Sequence, residues 1–496
     1  MIIHFINFIK KYLHIFLLFI GLIMFSYPLL TSGWQLVPGA FDDARLINYI
    51  LEHGYLYFHH EGTHLSFFNI SMFYPAINTL SYSDMLLGGM LIYIPIRELV
   101  NNPTTALQAW FIIVCIFNYY SMYLLLHKRF KFNIISSSVG AFIFAFGLPR
   151  ENQIGHLQLF LQFYMILSIL AFTSLSSNKS RLYNNICFLT GIILFALQIY
   201  SSFYIGWYMV FGLVNLCIIL LLFNETRLKF FNFIIKYKHE IIIYSLLSII
   251  LLIPLIKHYL SVGTQFLWIQ DDILRTTNIR GIIANRSILD KYIFNNYFNS
   301  HFLQNIDDEH IIGIGYITSI IIIISIYLCK NHRKYFVLFL LIVYTLFISK
   351  TMNLYLYKIF PGSSAIRSGS RFIFLILPIY SYLIAYFMQN IITSKIFIKT
   401  MIFMLIIIEQ IAIPYYSWTK QGHLSRLEKY IIPQNCNILY FDINKDNEEI
   451  DYCLLELDIM WKLIYTDKYT VNGYSGYEPQ HNKGMISPNC TIRIKD

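Results

Sequence analysis

The sequence predicts an all-α polytopic membrane protein of about eleven transmembrane helices, and three observations support that fold class. First, 57% of the 496 residues are hydrophobic and 13% are charged, which is more apolar surface than one soluble core of this length can use. Second, the apolar runs at residues 241–260, 311–328 and 401–413 each approach the ~20 residues that a helix needs to cross hydrocarbon. Third, Lys and Arg are concentrated in short clusters between such runs.

The charge pattern predicts which side of the membrane each loop faces. The net charge is +10, but the Lys and Arg residues lie in short loops rather than along one surface, which argues against a nucleic-acid partner. Lys10 and Lys11 place the amino terminus in the cytoplasm, ahead of an uncleaved first span at residues 13–30. Residues 33–104, which are poor in Lys and Arg, then form the first external loop.

Later basic clusters define the predicted domains. The clusters at residues 128–131, 179–181, 227–238, 330–334 and 395–399 all fall inside when the spans alternate. The stretch at residues 85–96 is short and broken by Pro95, so we expect an interfacial helix there and not a span. A final span near residues 399–416 ends a transmembrane domain of residues 1–416, and residues 417–496 form a small α/β or β-rich extracytoplasmic domain. Three cysteines in this tail, Cys436, Cys453 and Cys490, allow at most one disulfide.

Asp42 and Asp43 open the candidate site in the first external loop. Residues 39–54 are predicted to form an amphipathic helix on the membrane surface that ends at Gly54, with Arg45 and Glu52 on its polar face. In one interpretation, Asp42 caps this helix and Asp43 interacts with its dipole. In the other, one carboxylate is a general base whose basicity is raised by partial desolvation, and Arg45 holds an anionic group nearby. No metal-ligand spacing follows the pair, so we expect neither a required metal nor a cofactor.

Several short motifs follow one another along the chain. The first external loop opens with adjacent acids and reaches Phe73-Tyr74-Pro75 before a second interfacial helix. The other motifs are Ala-Phe-Gly-Leu-Pro at residues 145–149, Gly155-His156-Leu157-Gln158, Pro361-Gly362, Ile366-Arg367-Ser368-Gly369-Ser370-Arg371-Phe372 and Asn472-Gly473-Tyr474-Ser475-Gly476-Tyr477. Taken in order, these motifs are similar to those of the bacterial GT-C superfamily of membrane glycosyltransferases, and the similarity covers most of the chain.

The resemblance implies an activity and a site. It implies transfer of a sugar from a polyprenyl-phosphate donor to a lipid or glycan acceptor, with inversion, on the outer side of a bacterial plasma membrane. The catalytic base would be a first-loop Asp, which is Asp43 in preference to Asp42. No second acidic pair of the oligosaccharyltransferase type stands in a motif, since Asp271 and Asp272 lie in a long loop, and this puts metal dependence and an amide acceptor in doubt.

Other polar residues are candidates for substrate binding. His156, near Arg150, either orients a donor phosphate or sugar hydroxyl or only caps a span. Gln158 is expected to face the protein interior, because lipid would leave its amide unpaired. Ser83 and Asp84 are predicted to cap a helix that opens at Met85.

The remaining candidates are cations at span ends and one intramembrane acid. Arg367 and Arg371 are four residues apart and make the best phosphate clamp in the chain, unless they only snorkel to the interface. Lys257 and His258 end a span on the outer side against the charge rule, which suggests an anion site. Glu409, within the last span, marks a buried polar contact or a functional site.

Two other functions compete with sugar transfer. A transporter or flippase of lipid-linked glycan intermediates would need polar residues along midplane helices, whereas they concentrate at the outer interface. A non-catalytic membrane protein would bind lipid-linked glycans through the tail domain and would leave Asp42 and Asp43 dispensable.

Overall fold

The computed structural model of the chain is mostly helical. It describes residues 2–176, 178–263, 279–293, 306, 308–366, 368–391, 396–412, 416–442, 451–476, 479 and 490–493. The helices up to residue 263 are α1 (Ile2–Phe25), α2 (Tyr27–Thr31), α3 (Asp43–His59), α4 (Leu87–Leu99), α5 (Pro103–Leu124), α6 (Ile134–Phe146), α7 (Leu148–Glu151), α8 (Phe163–Thr173), α9 (Arg181–Ser201), α10 (Phe203–Leu222), α11 (Asn224–Lys236) and α12 (Lys238–Gly263). The later helices are α13 (Ile279–Ile283), α14 (Ile288–Ile293), α15 (Tyr316–Leu328), α16 (Arg333–Ile348), α17 (Lys350–Ile359), α18 (Ile373–Asn390), α19 (Ile396–Glu409), α20 (Lys420–Glu428) and α21 (Tyr452–Leu463).

Among the described residues, five helical stretches are long and apolar enough to cross a membrane. They are Pro103–Arg129, Arg181–Ser201, Phe203–Leu222, Lys238–Val262 and Gly369–Asn390. Helices α16 and α17 pass the same test together but bend by 96° at their junction, as in a broken span or a re-entrant loop. The chain is therefore an integral membrane protein with a helical fold.

The predicted count of eleven spans is not confirmed. Shorter apolar helices lie at Tyr12–Phe25, Leu157–Thr173, Tyr316–Leu328 and Thr400–Glu409. In the apolar run at residues 311–328, only the last 13 residues form α15. The helix begins after Gly315, whose φ of 98° lies in a region open to glycine and strained for other residues.

The core of the bundle surrounds α6. This helix packs against α1, α5 and α18, and every residue from Ser136 to Phe146 is buried. Gly140 allows the close approach of α18, since a Cβ there would lie 2.7 Å from the Ser381 carbonyl oxygen. Small residues at helix contacts are typical of membrane bundles, where packing replaces the hydrophobic effect as the driving force.

The segment at residues 33–104, predicted as the first external loop, differs from its prediction in three respects. Helix α3 does not end at Gly54 but continues to His59, and Gly54 lies under α4, where an added Cβ would approach the Met90 sulfur to 2.5 Å. The helix is not exposed along one face as a surface helix would be, because both of its faces are buried in protein. Asp84 does not cap α4, which begins at Leu87, but accepts a hydrogen bond from the Phe203 amide at the start of α10 (2.7 Å).

Helix α4 lies in the stretch at residues 85–96, where the sequence predicts a short helix and not a span. It has 13 residues with Pro95 inside it, too few to cross hydrocarbon at 1.5 Å per residue. It packs against α3, α5 and α9. The first loop is therefore built around two short helices held against the bundle.

The tail combines helices with a small parallel sheet. Its strands are β3 (Ile438–Asp442), β4 (Tyr469–Thr470) and β5 (Thr491–Arg493), with β3 in the centre and parallel to both neighbours. A disulfide joins Cys436 to Cys490, and Cys453 lies outside it and is exposed. A second, antiparallel sheet pairs β1 (Leu36–Pro38) with β2 (Ser417–Thr419), so the start of the first loop is hydrogen-bonded to the start of the tail.

Candidate active site

A pocket lies where the first loop, the tail and the amino-terminal end of α10 meet. It encloses about 750 Å³ of empty space, open solvent included. Its polar lining includes Asp43, Asp84, Gln158 and Arg371. Its other lining residues are Leu46, Ile47, Ser81, Tyr82, Ser83, Phe203, Tyr204, Tyr259, Ala365 and Gly476. Aromatic side chains beside a few charged groups are typical of sites that bind a polar ligand with an apolar face.

Asp43 is held by two partners from distant parts of the chain. The His156 ring donates from Nδ1 to Asp43 Oδ2 at 2.5 Å, and the Tyr474 hydroxyl donates to Asp43 Oδ1 at 3.0 Å. Asp43 begins α3, His156 precedes a short 3₁₀ helix at Leu157–Phe160, and Tyr474 belongs to the tail. The tail therefore contributes directly to the environment of the first-loop carboxylate.

A second ion pair lies beside the first. Arg371 contacts Glu309 Oε1 through Nε at 2.8 Å and through Nη2 at 2.7 Å, and its guanidinium lies 4.4 Å from the centre of the Tyr204 ring. His156 Nε2 lies 3.7 Å from the same Glu309 oxygen. Asp43, His156, Glu309 and Arg371 thus form one chain of alternating acidic and basic side chains at the edge of the pocket.

The pKa values of both carboxyl groups are low. Burial alone would raise the pKa of Asp43, but the charge and hydrogen bond of His156, the charge of Arg371 and the Tyr474 hydroxyl lower it to about 2. Burial likewise opposes ionisation of Glu309, whose pKa is lowered to about 2 mainly by Arg371 and then by His156. Both carboxylates are ionised at neutral pH. The expected rise in basicity is therefore wrong for Asp43.

Asp42 has the role of a helix cap. Its side chain accepts a hydrogen bond from the Asp43 amide at 2.8 Å. Burial, followed by the charge of Asp43, raises the pKa of Asp42, the direction expected from desolvation. Of the two acids, only Asp43 lines the pocket.

Arg45 and Glu52 are placed away from the pocket. Arg45 is fully buried and donates from Nη2 to Asp458 Oδ1 of the tail at 2.6 Å. Glu52 is also fully buried, and it pairs with Arg97 at 3.1 Å and accepts a hydrogen bond from Tyr93 at 2.6 Å. Each residue links two elements of the fold through its ion pair. Leaving either buried charge unpaired would be costly.

Arg150 and Gln158 have different environments despite their closeness in sequence. Arg150 is fully buried and donates to the Phe144 carbonyl at 2.9 Å and to Gln162 Oε1 at 2.7 Å. Gln158 lines the pocket, and its Oε1 atom is buried with no hydrogen-bond partner among the described residues. An orphaned amide oxygen beside a pocket is available to a ligand hydroxyl or amide.

The remaining predicted residues contribute less to the site. Lys257 is exposed near the end of α12, and His258 pairs with Asn78 Oδ1 at 2.7 Å and stacks on Phe68. Neither lines the pocket. Arg367 and the pair Asp271 and Asp272 lie outside the described residues. Glu409 is fully buried and accepts hydrogen bonds from the amides of Ile317 and Thr318, so it caps the start of α15.

Sequence reasoning missed the roles of Glu309 and Tyr474. Glu309 follows two aspartates in a polar stretch ahead of an apolar run, and an acid at such a boundary was the available signal. Tyr474 belongs to the motif at residues 472–477, but the sequence predicted no role for it. Pairing across more than 400 residues, as between Tyr474 and Asp43, leaves no periodicity in the sequence.

Asp43, His156 and Glu309 are three potential metal-ligating side chains that lie near one another. In the described part of the chain, however, no group of three or more His, Cys, Asp or Glu residues is arranged to hold a metal ion. The His156 ring lies between the two carboxylates and already contacts Asp43. The expectation that no metal is required stays a prediction.

No protein-family model matches the sequence, and neither does any curated protein. Solved structures of an oligosaccharyltransferase from Archaeoglobus fulgidus are similar in fold. One, tethered with an acceptor peptide containing the NVT sequon, has a TM-score of 0.49 and 12% identity over 94% of this chain and 64% of that one. A complex of the same protein with Zn and sulfate has a TM-score of 0.48 and 10% identity over 92% of this chain and 62% of that one.

A structure of the archaeal oligosaccharyltransferase AglB from Archaeoglobus fulgidus, in complex with an inhibitory peptide and a dolichol-phosphate, is also similar. Its TM-score is 0.46, with 11% identity over 94% of this chain and 65% of that one. The chain thus spans less than two thirds of the length of each of these structures. At such identities and TM-scores the likeness does not assign an activity.

Proposed function

We propose that this chain is a membrane-embedded, inverting glycosyltransferase that moves a sugar from a polyprenyl-phosphate donor to an acceptor on the extracytoplasmic face. The observation that carries the proposal is the placement of the ionised Asp43 carboxylate in the same pocket as the Arg371 guanidinium. An inverting transfer needs one group that accepts a proton from the nucleophile and another that stabilises the departing phosphate. The pocket supplies a carboxylate for the first task and a guanidinium for the second.

The transfer step balances with these groups. The acceptor O–H gives its proton to Asp43 as its oxygen attacks the anomeric carbon from the face opposite the phosphate. The bond between that carbon and the phosphate oxygen breaks, and its electron pair leaves with the polyprenyl phosphate. Arg371 stabilises the charge that develops on the phosphate, because a guanidinium pairs with phosphate oxygens through two parallel N–H donors.

The low pKa of Asp43 is consistent with this role when the donor is bound. Part of the depression comes from the charge of Arg371. A donor phosphate paired with Arg371 offsets that charge and raises the pKa of Asp43 toward its ordinary range. Binding of the donor therefore makes the carboxylate more basic, while the empty pocket keeps it ionised.

The supporting side chains fit a sugar-phosphate ligand. Gln158 offers a free amide oxygen to a hydroxyl, and Phe203, Tyr204 and Tyr259 line the pocket with aromatic surface. Glu309 fixes the Arg371 side chain in place. Preorganised charges of this kind contribute more to catalysis than mobile ones.

The buried amides inside the bundle argue against a transport path. Asn118 donates to the Phe160 carbonyl at 2.7 Å, Gln162 to the Phe374 carbonyl at 2.6 Å and Gln198 to the Leu161 carbonyl at 2.7 Å. The N–H groups of these amides hold neighbouring backbones together and are not free to bind a moving solute.

Reconstitution tests the proposal directly. The full chain in liposomes is given a panel of polyprenyl-phosphate sugars and an extract of envelope glycans or glycolipids as acceptors. We expect one donor to yield a product whose new glycosidic bond has the opposite anomeric configuration, as determined by NMR. Retention of configuration would overturn the single-displacement mechanism, and movement of intact donor across the bilayer without transfer would favour the flippase.

A further inference from the structure

Helix α11 leaves an apolar stripe exposed at one end of the bundle. It joins the candidate spans α10 and α12, and none of its 13 residues is buried. Leu228, Phe231 and Ile235 are 65%, 47% and 66% exposed. Their spacing of three, four and seven residues places them on one side of the helix. Within the described part of the chain, no element covers this stripe.

The neighbouring face of α11 is basic. Lys229, Asn232 and Lys236 share the three, four and seven spacing and are exposed, and each follows a stripe residue by one position, which places it about 100° further around the helix. Helix α11 is therefore amphipathic, with a wide apolar surface beside a stripe that carries lysines.

Basic ends of neighbouring helices gather around α11. Arg181 at the start of α9 contacts Glu240 at the start of α12 at 3.4 Å. Lys334 at the start of α16 contacts Glu225 of α11 at 3.9 Å. Arg333 precedes Lys334, and Lys238 begins α12. Basic residues outnumber acidic ones across this end of the bundle, as expected where helices meet an anionic surface.

The position of α11 relative to the bilayer follows from its neighbours. It connects the carboxyl end of one candidate span to the amino end of the next, so it lies where hydrocarbon meets water. At 1.5 Å per residue it is about 20 Å long. A helix lying in that plane buries its apolar stripe among acyl chains while its lysines extend to the phosphate layer.

We infer that α11 is an in-plane helix that binds the headgroups of anionic phospholipids. The charge on its polar side and on the adjoining helix ends selects lipids with a net negative headgroup over zwitterionic ones. The pocket lies at the other end of α10, since Phe203 lines the pocket and Leu222 precedes α11. The 20 residues of α10 separate the two surfaces by about 30 Å. Lipid binding by α11 therefore fixes the bundle with its pocket facing the opposite side.

Site-specific photocrosslinking tests this inference without reference to enzyme activity. Leu228 is replaced by the photoreactive residue benzoylphenylalanine in the full chain, which is placed in nanodiscs containing equal amounts of phosphatidylcholine and phosphatidylglycerol. After irradiation, mass spectrometry counts the adducts with each lipid. A second probe at Ile235 repeats the measurement at the other end of the stripe.

We expect lipid adducts at both probes, with phosphatidylglycerol in excess. The double variant Lys229→Gln/Lys236→Gln should reduce that excess by up to about fivefold per lysine removed. The matched control, Lys429→Gln/Lys462→Gln in the tail, should leave the excess unchanged. Folding of each variant is checked by its thermal transition. Adducts with protein in place of lipid, or an unchanged lipid ratio in Lys229→Gln/Lys236→Gln, would overturn the inference.

Discussion

The Asp43 carboxylate and the His156 imidazole lie 113 residues apart in the sequence and 2.5 Å apart in the structure. The contact joins the start of α3 to the segment that follows α7. The Tyr474 hydroxyl occupies the other carboxylate oxygen of Asp43. Three separate regions thus converge on one acid, and the predictions below follow from that convergence.

Replacing His156 should lower sugar transfer by at least about 10-fold. In His156→Ala the carboxylate of Asp43 loses the ring that holds its Oδ2 atom and supplies the largest lowering of its pKa. Transfer to outer-surface glycans is measured in cells with protein level matched. His60→Ala, at an exposed histidine after α3, is the control and should transfer normally. An equal loss in both variants would remove His156 from the site.

The acid side of the pH profile should move when His156 is changed. The pKa of Asp43 is lowered from 3.8 to about 2, so folding favours its ionised form. The resulting contribution to stability is present above the ordinary pKa of Asp43 and is lost as pH falls through about 2. In His156→Gln the pKa of Asp43 rises, because the positive field and part of the hydrogen bonding are gone. Protonation of Asp43 should then reduce residual transfer at a higher pH than in the parent protein. Profiles of identical shape would show that Asp43 does not set the acid limb.

Arg371→Lys should weaken use of the donor by about 10-fold to 100-fold, the cost of losing a charge-assisted hydrogen bond. Lysine keeps the charge but loses the planar guanidinium, whose Nε and Nη2 atoms contact Glu309 and whose remaining N–H donors would bind phosphate. Initial rates in liposomes are measured against donor concentration. A raised KM for donor with little change in KM for acceptor is expected, whereas an unchanged donor KM would contradict phosphate binding by Arg371.

Tyr474→Phe should reduce transfer by about fivefold, the net worth of one hydrogen bond of about 1 kcal/mol. The change removes only the hydroxyl that donates to Asp43 Oδ1. Tyr465→Phe is a matched control, since Tyr465 also links the tail to α3 but donates to Glu52. If the two variants lose activity equally, Tyr474 acts by docking the tail and not through Asp43.

Local patterns predicted the class of fold well. Long apolar runs and basic clusters are produced by the bilayer itself, so an integral membrane protein was predictable from composition. The number of spans is less predictable, because an apolar run such as residues 311–328 contains glycines that begin a helix late. The end of α3 was also missed, since Gly54 is kept small by the approach of Met90 and does not stop the helix.

The candidate site was only partly predictable for a related reason. Asp43, His156, Gln158 and Arg371 each stood out by charge or by motif. Arg45 and Glu52 looked equally suitable on a helical wheel, yet they pair with Asp458 and Arg97 inside the protein. Which polar face meets a pocket and which meets another domain is decided by tertiary packing, and a wheel contains no information about that.

The comparison of Asp43→Asn with Asp42→Asn tests the central claim most directly. Transfer of sugar to outer-surface glycans is measured in cells that carry each variant, with protein level and thermal stability matched. Asp43→Asn should lose on the order of 100-fold or more, because the amide accepts no proton, while Asp42→Asn keeps most of its activity, since asparagine caps a helix nearly as well as aspartate. Undiminished transfer in Asp43→Asn would contradict the account.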